Sequence, residues 1–303
     1  MTRRRLRLNT SVQGRQAIWG WVFVIPALVF FSVFAFYPIG NAVFMGFHRK
    51  SVLSLRPPQF VGLQNYVDLF NSQQFWNAWK ATTIFTLGTF IPLVVFSLLL
   101  AVLIVSRKRF QRFFQVTLYS PAVVPGVVAA LVWMLMLDPR GLANQWVNFV
   151  LGTPGIDHRW LASTSMVRLS TMVVYFWGYL GFFTIIYVAG LGGIPATLKE
   201  AAKIDGANAL QEFRFITLPL LTPTTLLVSV MSMIFCMRTF STQYMFTQAG
   251  APTEPINVVT LFIFNTAIRD HQLGMASAMS ILLLLVMFFF ATLQLLASRR
   301  AAG

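Results

Sequence analysis

Acidic residues are scarce in this chain of 303 residues. It holds 8 Asp and Glu against 23 Lys and Arg, and 10% of its residues are charged, whereas 57% are hydrophobic. A soluble domain has about a quarter of its residues charged. Together with a mean hydropathy of +0.70, this shortage of charge excludes an ordinary soluble fold and predicts a membrane protein.

Cysteine and histidine are also rare. Cys236 is the single cysteine, which excludes an internal disulfide bond. The three histidines, at positions 48, 158 and 271, fall in segments between the apolar runs and lack the spacing of metal ligands. We therefore expect no metal site and no catalytic residue in this chain.

Two sequence patterns with known chemistry are missing. No G-x-x-x-x-G-K-[ST] phosphate loop occurs, so we predict that the chain does not hydrolyse ATP by itself and is not an enzyme. The net charge of +15 is typical of some nucleic-acid-binding proteins, but here the basic residues form short clusters between apolar runs. We expect no nucleic-acid partner.

Long apolar runs are what the sequence does contain. A membrane span needs about 20 consecutive apolar residues. The apolar runs are too long for the strands of a membrane barrel and lack the alternation of apolar and polar residues that such strands show. An all-α membrane protein with six transmembrane helices is predicted, over residues 17–36, 81–105, 113–137, 169–193, 218–237 (extended to about 240) and 273–298. The first run is longer than the core of a signal peptide and has no cleavage site, so we expect it to be retained.

The distribution of Lys and Arg predicts the orientation. Of the 23, 14 cluster in residues 1–16, in the connections after the second and fourth spans, and after the sixth span, and such clusters mark the cytoplasmic side. We predict two cytoplasmic tails, 1–16 and 299–303, around a membrane domain over 17–298 in a bilayer. The connection 194–219 then faces the cytoplasm.

Two outer segments have some predicted structure. The long connection 37–80 mixes aromatic residues with turn signals, so we expect short helices that cap the outer face. After the third span, Leu142, Trp146, Phe149 and Val150 follow helical spacing. This pattern predicts an amphipathic helix at the outer interface.

The fourth connection is patterned for two short helices. Thr197 and Glu200 have capping-box spacing, and Gly206 falls where a helix would end, which predicts a helix over about 198–205. Asn208 and Gln211 repeat the spacing, predicting a second helix from there to about Thr217, before Pro219 and the fifth span.

The first of these helices has a narrow apolar side. Leu198, Ala201 and Ala202 share it, while Glu200, Lys203 and Asp205 surround it. A narrow apolar side lets a helix seat in a groove of another protein. Packing of the loop against the chain's own spans is the better explanation for either alanine by itself, but not for the whole pattern.

The same residues resemble a known signature. Glu200-Ala201-Ala202, Gly206, Ile216, Leu218 and Pro219 match the cytoplasmic EAA signature of permease subunits of bacterial and archaeal ABC importers, and "EAAKIDGANALQEFRFITLPLLTP" is similar to the carbohydrate, maltose-importer-like branch. The segments "YPIGNAVFMGF", "LDPRGLANQWV" and "LGMASAMSILL" agree, and "FVGLQNYVDLF" resembles the first permease of a pair. Only "QAGAPTEPINVVT" departs, where the family usually has Gly-Gly-Pro.

This resemblance implies a function and a set of partners. It implies the type I ABC importer permease fold in the cytoplasmic (inner) membrane of a bacterium or archaeon, and half of a translocation pathway for a sugar, polyol or glycerol phosphate. The implied partners are a second, different permease, two copies of a cytoplasmic ATP-binding subunit that carries ATP and Mg, and an extracellular or periplasmic solute-binding protein. The residues that would couple to the ATPase are Glu200, Ala201, Ala202, Asp205 and Gly206. Glu200 has two open roles, at that interface and in the capping box.

A candidate substrate pathway follows from one charge. Arg238 is the single charged residue in the apolar stretch 218–246, and an ionisable residue within a membrane indicates a functional site. With Phe240, Gln243 and Tyr244 it would form the polar and aromatic walls that a sugar prefers. The alternative is that Arg238, roughly 28 Å from Pro219 along a straight helix, reaches the outer surface.

Other classes of membrane protein are less consistent with the sequence. An ion-coupled secondary transporter or a channel is the main alternative, but it predicts acidic sites within the spans, and none of the six runs contains Asp or Glu. A membrane enzyme needs paired carboxylates, a His-containing site or metal ligands, and the sequence offers no such group.

Overall fold

The computed structural model describes residues 12–301, which are almost entirely helical. Five helices are long and apolar enough to cross a membrane, and a bent pair makes a sixth span. The spans are Trp19–Gly46, Gln73–Ser106, Gln111–Val123 with Gly126–Met136, Thr164–Gly192, Thr222–Gln248 and Leu273–Ser298. The predicted all-α fold with six spans is confirmed, while the cytoplasmic tails and the orientation remain predictions.

Shorter elements connect the spans. On the side predicted to be outer these are strands His48–Arg49 and Gln59–Phe60, and helices Gln64–Phe70, Leu142–Leu151, Glu254–Ile256, Val259–Phe264 and Asn265–Arg269. On the side predicted to be cytoplasmic they are Lys108–Phe110, Ala196–Ile204, Ala209–Glu212, Phe213–Thr217 and Leu218–Leu220. The fifth span is itself two helices, Thr222–Met237 and Ser241–Gln248, and the sixth helix runs over Leu273–Ala301.

The first span is longer than predicted. Helix Val12–Phe31 continues through a wide π turn, Ser32–Phe36, into helix Tyr37–Gly46, so the predicted end at residue 36 is wrong. Pro38 lies in the first turn of helix Tyr37–Gly46, where the missing N–H of proline is best tolerated. The most apolar part of this span has no residue buried against the rest of the described chain.

The first outer connection is shorter and differently built than predicted. The second span already begins at Gln73, where the Ser72 hydroxyl accepts a hydrogen bond from the Phe75 amide. One short helix is present, as expected, but the antiparallel strand pair beside it was not predicted. Buried Asn65 joins them, since its Nδ2 donates to the carbonyls of Gly46, at 2.9 Å, and His48, at 3.1 Å.

The amphipathic helix after the third span is present, over Leu142–Leu151. Its predicted apolar residues are exposed, Trp146 and Phe149 most of all, while Asn144 is buried. The Asn144 Oδ1 accepts a hydrogen bond from the Trp160 indole at 2.8 Å, and its Nδ2 donates to the Pro139 carbonyl at 2.8 Å. The fold therefore holds this helix by its polar side and leaves its apolar side uncovered.

The third span is broken, although the sequence predicted one run over 113–137. Its two helices meet at an angle of 97° around Val124 and Pro125. A residue before proline is pushed out of the α region, and Val124 has extended backbone angles of −73° and 126°. The proline therefore converts a straight apolar run into a sharp bend.

The core lies between the second, fourth and fifth spans. The fully buried side chains there include Leu93, Phe183, Tyr187 and Val228. Gly181 brings the fourth span against the third, because a Cβ atom built on it would overlap the Leu118 carbonyl. This contact fixes the third span's first helix in place.

We expect Gly181→Ala to destabilise the protein. Overpacking of a tight contact typically costs about 1–3 kcal/mol, and the neighbour here is backbone that cannot rotate away. Gly178→Ala is the matched control, since a Cβ atom at Gly178 meets nothing within 4 Å. The thermal unfolding midpoint of the detergent-solubilised protein should fall for the first variant only, and equal midpoints would contradict the assignment.

Candidate functional site

The first helix of the fourth connection is Ala196–Ile204, and it starts differently than predicted. Pro195 occupies the cap position, and no side chain caps the helix, so the predicted capping box of Thr197 and Glu200 is wrong. The reason is that proline suits a helix start and places Thr197 inside the first turn. Within the described residues Glu200 is exposed and makes no hydrogen bond or ion pair, which removes its local role.

The turn at Gly206 is as predicted. Its φ is +80°, in the left-handed region, where a side chain costs roughly 1–2 kcal/mol. The Ala207 amide donates to the Ala202 carbonyl at 2.9 Å, and the Gly206 amide donates to the Lys203 carbonyl at 3.1 Å. These two bonds form a Schellman motif, which ends the helix and redirects the chain.

The second helix has the predicted capping box. The Asn208 Oδ1 accepts a hydrogen bond from the Gln211 amide at 2.9 Å, and the Gln211 Oε1 accepts one from the Asn208 amide at 2.8 Å. The predicted end near Thr217 is wrong, because the chain continues as a π turn, Phe213–Thr217, and a further helical turn, Leu218–Leu220. Pro219, which has no N–H to donate to the turn before it, follows this widened turn.

The predicted coupling residues divide by exposure. Glu200, Ala201, Asp205 and Gly206 are exposed, whereas Ala202 is only 7% exposed. Three apolar residues that were not among the predicted coupling residues are also strongly exposed: Ile204 is 86% exposed, Leu210 73% and Phe215 69%. The fourth connection thus presents an apolar surface with polar groups beside it.

A cavity of about 350 Å³ lies within the membrane region. It opens where two spans are interrupted: the third at Val124 and Pro125, and the fifth between Met237 and Ser241. The fourth span forms the wall between them. Its lining residues are Pro121, Ala122, Val124, Gly126, Ala129, Val174, Tyr175, Gly178, Tyr179, Phe235, Arg238, Thr239, Phe240, Ser241 and Thr242.

Two of the four predicted pathway residues line this cavity. Arg238 follows the last residue of helix Thr222–Met237 and is exposed there, and Phe240 lies beside it. The span continues to Gln248, so Arg238 lies at a break within the fifth span and not at the end of the span. It is the one charged side chain among those lining the cavity.

The other two predicted residues point elsewhere. Gln243 is fully buried, its Oε1 accepts a hydrogen bond from the Thr239 hydroxyl at 2.9 Å, and it borders a small gap beside Arg168 and Pro255. Tyr244 stacks on Phe240, with ring centroids 5.2 Å apart, and lies at the same distance from Phe264. Both therefore support the cavity wall from behind.

Several lining residues were missed by the sequence reasoning. Tyr175 and Tyr179 of the fourth span have ring centroids 4.5 Å apart, and Phe235 contacts Tyr179 at 5.7 Å. Ser241 and Thr242 add hydroxyl groups. The spacing of the two tyrosines on one helix face was a usable signal, but nothing in the sequence brings that face to Arg238.

Comparison with known proteins identifies the family. The model of the family described as "Binding-protein-dependent transport system inner membrane component" matches residues 81–303. The chain therefore belongs to this family and is a multi-pass membrane component of a transport system.

Individual relatives support the same class. The arabinooligosaccharides transport system permease protein AraP of Halalkalibacterium halodurans is 31% identical over 297 residues, covering 97% of this chain and 92% of AraP. The trehalose/maltose transport system permease protein MalF of Thermococcus litoralis is 29% identical, covering 96% and 97%. Both relatives are named as permease proteins, which agrees with a transport subunit and not with an enzyme.

A solved structure confirms the fold. One chain of a bacterial alginate ABC transporter, determined in complex with an alginate pentasaccharide-bound periplasmic protein, matches with a TM-score of 0.82 at 22% identity. The match covers 95% of this chain and 96% of that one. The chain thus has the predicted type I ABC importer permease fold.

Proposed function

We propose that this chain is a permease subunit of an ATP-driven importer of a sugar or a related polyol or glycerol phosphate. It forms half of the translocation pathway and couples to a cytoplasmic ATPase through the fourth connection. The observation that carries the proposal is the exposed surface of that connection, where Ala201, Ile204 and Phe215 have no cover within the described chain. ATP and Mg belong to the ATPase, and this chain binds no cofactor.

The geometry of the fourth connection suits force transfer. Glu200 and Ala201 are exposed, and the connection leads through Phe213–Thr217 and Leu218–Leu220 into the fifth span, where Leu221 belongs to the core. A helix seated in a cleft of the ATPase is therefore also attached to the membrane domain. Movement of the cleft on ATP binding then moves the spans around the cavity.

The cavity suits a carbohydrate. Sugars combine hydroxyl groups with apolar ring faces, and the cavity offers aromatic rings of Tyr175, Tyr179 and Phe240 with the guanidinium of Arg238. Oligosaccharides and disaccharides are the cargo named for relatives, so arabino-oligosaccharides, trehalose and maltose form the first panel to test. An extracellular solute-binding protein, the partner present in the alginate transporter complex, would deliver the cargo.

The uncovered surface of the first span supports the proposal that a second permease is a partner. The most apolar part of that span is uncovered by the rest of the described chain, and a different permease of the same fold would supply both a neighbour for it and the other half of the pathway. The assembly would contain two ATPase copies, one for each permease. The family membership favours an ATP-driven importer over an ion-coupled transporter or a channel. An ATP-driven importer should continue uptake after the ion gradients collapse and stop when ATP is removed.

Cysteine labelling tests the coupling proposal. The single native cysteine is fully buried, so new cysteines can be added without removing it. We expect a maleimide to modify Ala201→Cys rapidly in the free chain and slowly when the ATPase subunit is bound. Ala202→Cys should react slowly in both states.

Leu55→Cys is the exposed control on the outer connection. It should react rapidly with and without the ATPase. Equal labelling rates for Ala201→Cys in the two states would contradict docking at the fourth connection.

A further inference from the structure

The second connection carries a basic and aromatic surface that the transport proposal does not use. It consists of Arg107, Arg109, Arg112 and the phenylalanines 110, 113 and 114, all of them exposed. The Arg109 guanidinium lies 5.9 Å from the centre of the Phe110 ring. We propose that this basic-aromatic surface binds the phosphate headgroups of anionic membrane lipids.

The three cations are not neutralised by the protein. No Asp or Glu occurs anywhere in residues 69–137, and within the described chain the one ion pair joins Arg49 and Asp68, far away in the first outer connection. Arg112 also lies in the first turn of helix Gln111–Val123, where a cation is unfavourable to the helix. The stability of the local fold therefore does not explain these charges.

The depth of the surface matches the headgroup layer. On the second helix Trp79 and Trp76 mark the outer interface, where aromatic residues concentrate. Ser106, the last residue of that helix, lies about 40 Å further along at 1.5 Å per residue. A bilayer with its headgroups is about 40–45 Å thick, so the cations lie among the phosphates of the opposite leaflet.

The aromatic residues favour a lipid over an acidic protein. Phe110 is 57% exposed, Phe113 64% and Phe114 41%, which is costly in water but favourable at the boundary with the acyl chains. Cations with adjacent aromatic rings thus match a ligand that has a phosphate at one end and hydrocarbon at the other. Clusters of Lys and Arg next to a membrane span recognise anionic lipids in the same way.

The outer side offers a matched contrast. Arg140 and Arg159 are also exposed, but each lies two residues from a carboxylate, Asp138 or Asp157, which accepts a hydrogen bond from the backbone amide of that arginine. Replacing this pair removes the same number of charges from the protein as replacing Arg109 and Arg112. It leaves the basic-aromatic surface intact.

The test is lipid binding by the purified full-length chain in detergent, measured by native mass spectrometry. Dioleoyl phosphatidylglycerol and dioleoyl phosphatidylcholine are the probes. Each cation near a membrane surface contributes about fivefold in affinity, so R109Q/R112Q should weaken phosphatidylglycerol binding roughly 25-fold and leave phosphatidylcholine binding unchanged. R109K/R112K and R140Q/R159Q should bind like the wild type.

Three outcomes would overturn the proposal. The first is phosphatidylglycerol affinity that is unchanged in R109Q/R112Q, and the second is an equal loss in R140Q/R159Q. The third is retained lipid binding together with loss of ATPase co-purification, which would make an acidic protein surface the occupant. If the double variant does not insert into the membrane, Arg112→Gln alone should still show a roughly fivefold loss.

Discussion

Gly206→Val should reach the membrane in normal amount and yet lose most transport. Gly206 has a φ of +80°, a conformation that costs a residue with a side chain about 1–2 kcal/mol. The cost is greatest for a β-branched residue such as valine. The strain is relieved only by opening the turn, which breaks the bonds from Ala207 to Ala202 and from Gly206 to Lys203. The exposed surface around Ala201 and Ile204 then no longer has its docking geometry.

The measurement is uptake of the transported sugar, chosen from the panel above, with the amount of protein in the membrane measured in parallel. A strain of this size changes the equilibrium constant between the intact and the opened turn by roughly five- to thirtyfold. We therefore expect uptake to fall by at least fivefold. Gly206→Asn is the control, because asparagine tolerates the left-handed conformation and should keep most activity. Normal uptake by the valine variant would refute a conformational role for this turn in coupling.

Arg238→Ala should impair transport at the cavity. A hydrogen bond from a charged group contributes about 1.5–3 kcal/mol, so loss of the guanidinium should raise the half-saturation constant or lower the rate roughly tenfold or more. The residue is exposed in the cavity, so its removal leaves no buried void and should not reduce expression. Kinetics of uptake with a saturating solute-binding protein would show the effect.

Two companion variants sharpen this experiment. Arg238→Lys keeps the charge but loses the planar guanidinium group, so its uptake rate should lie between those of Arg238→Ala and the wild type. Tyr244→Phe removes the hydroxyl of a residue that the sequence placed in the pathway but that does not line the cavity, so its kinetics should be unchanged. Unchanged uptake and half-saturation in Arg238→Ala at normal expression would remove its substrate role.

Local sequence predicted the features that depend on a few neighbouring residues. The left-handed Gly206, the capping box of Asn208 and Gln211, and the amphipathic helix at Leu142–Leu151 each follow from short-range backbone or side-chain chemistry, and all are present. The membrane class followed from composition. The same short-range reasoning was wrong for Thr197, because the helix begins two residues earlier, after Pro195.

Features that depend on packing could not be predicted in this way. The apolar run over 113–137 predicted one continuous span, and neither its break at Pro125 nor the 97° angle there was foreseen. The break after Met237 changes which face of the fifth span each later residue occupies. Arg238 and Phe240 therefore line the cavity while Gln243 and Tyr244 lie behind it, a division that helical spacing alone does not give.

The interruptions of the third and fifth spans face the same cavity. A broken helix leaves amide and carbonyl groups without helical partners, and such groups are tolerated at membrane depth only where they meet protein or water. We therefore expect water in the cavity whenever cargo is absent. A hydroxyl-rich solute would replace that water with its own hydrogen bonds, so we expect the main chain to carry part of any preference for such solutes, independently of the side chains.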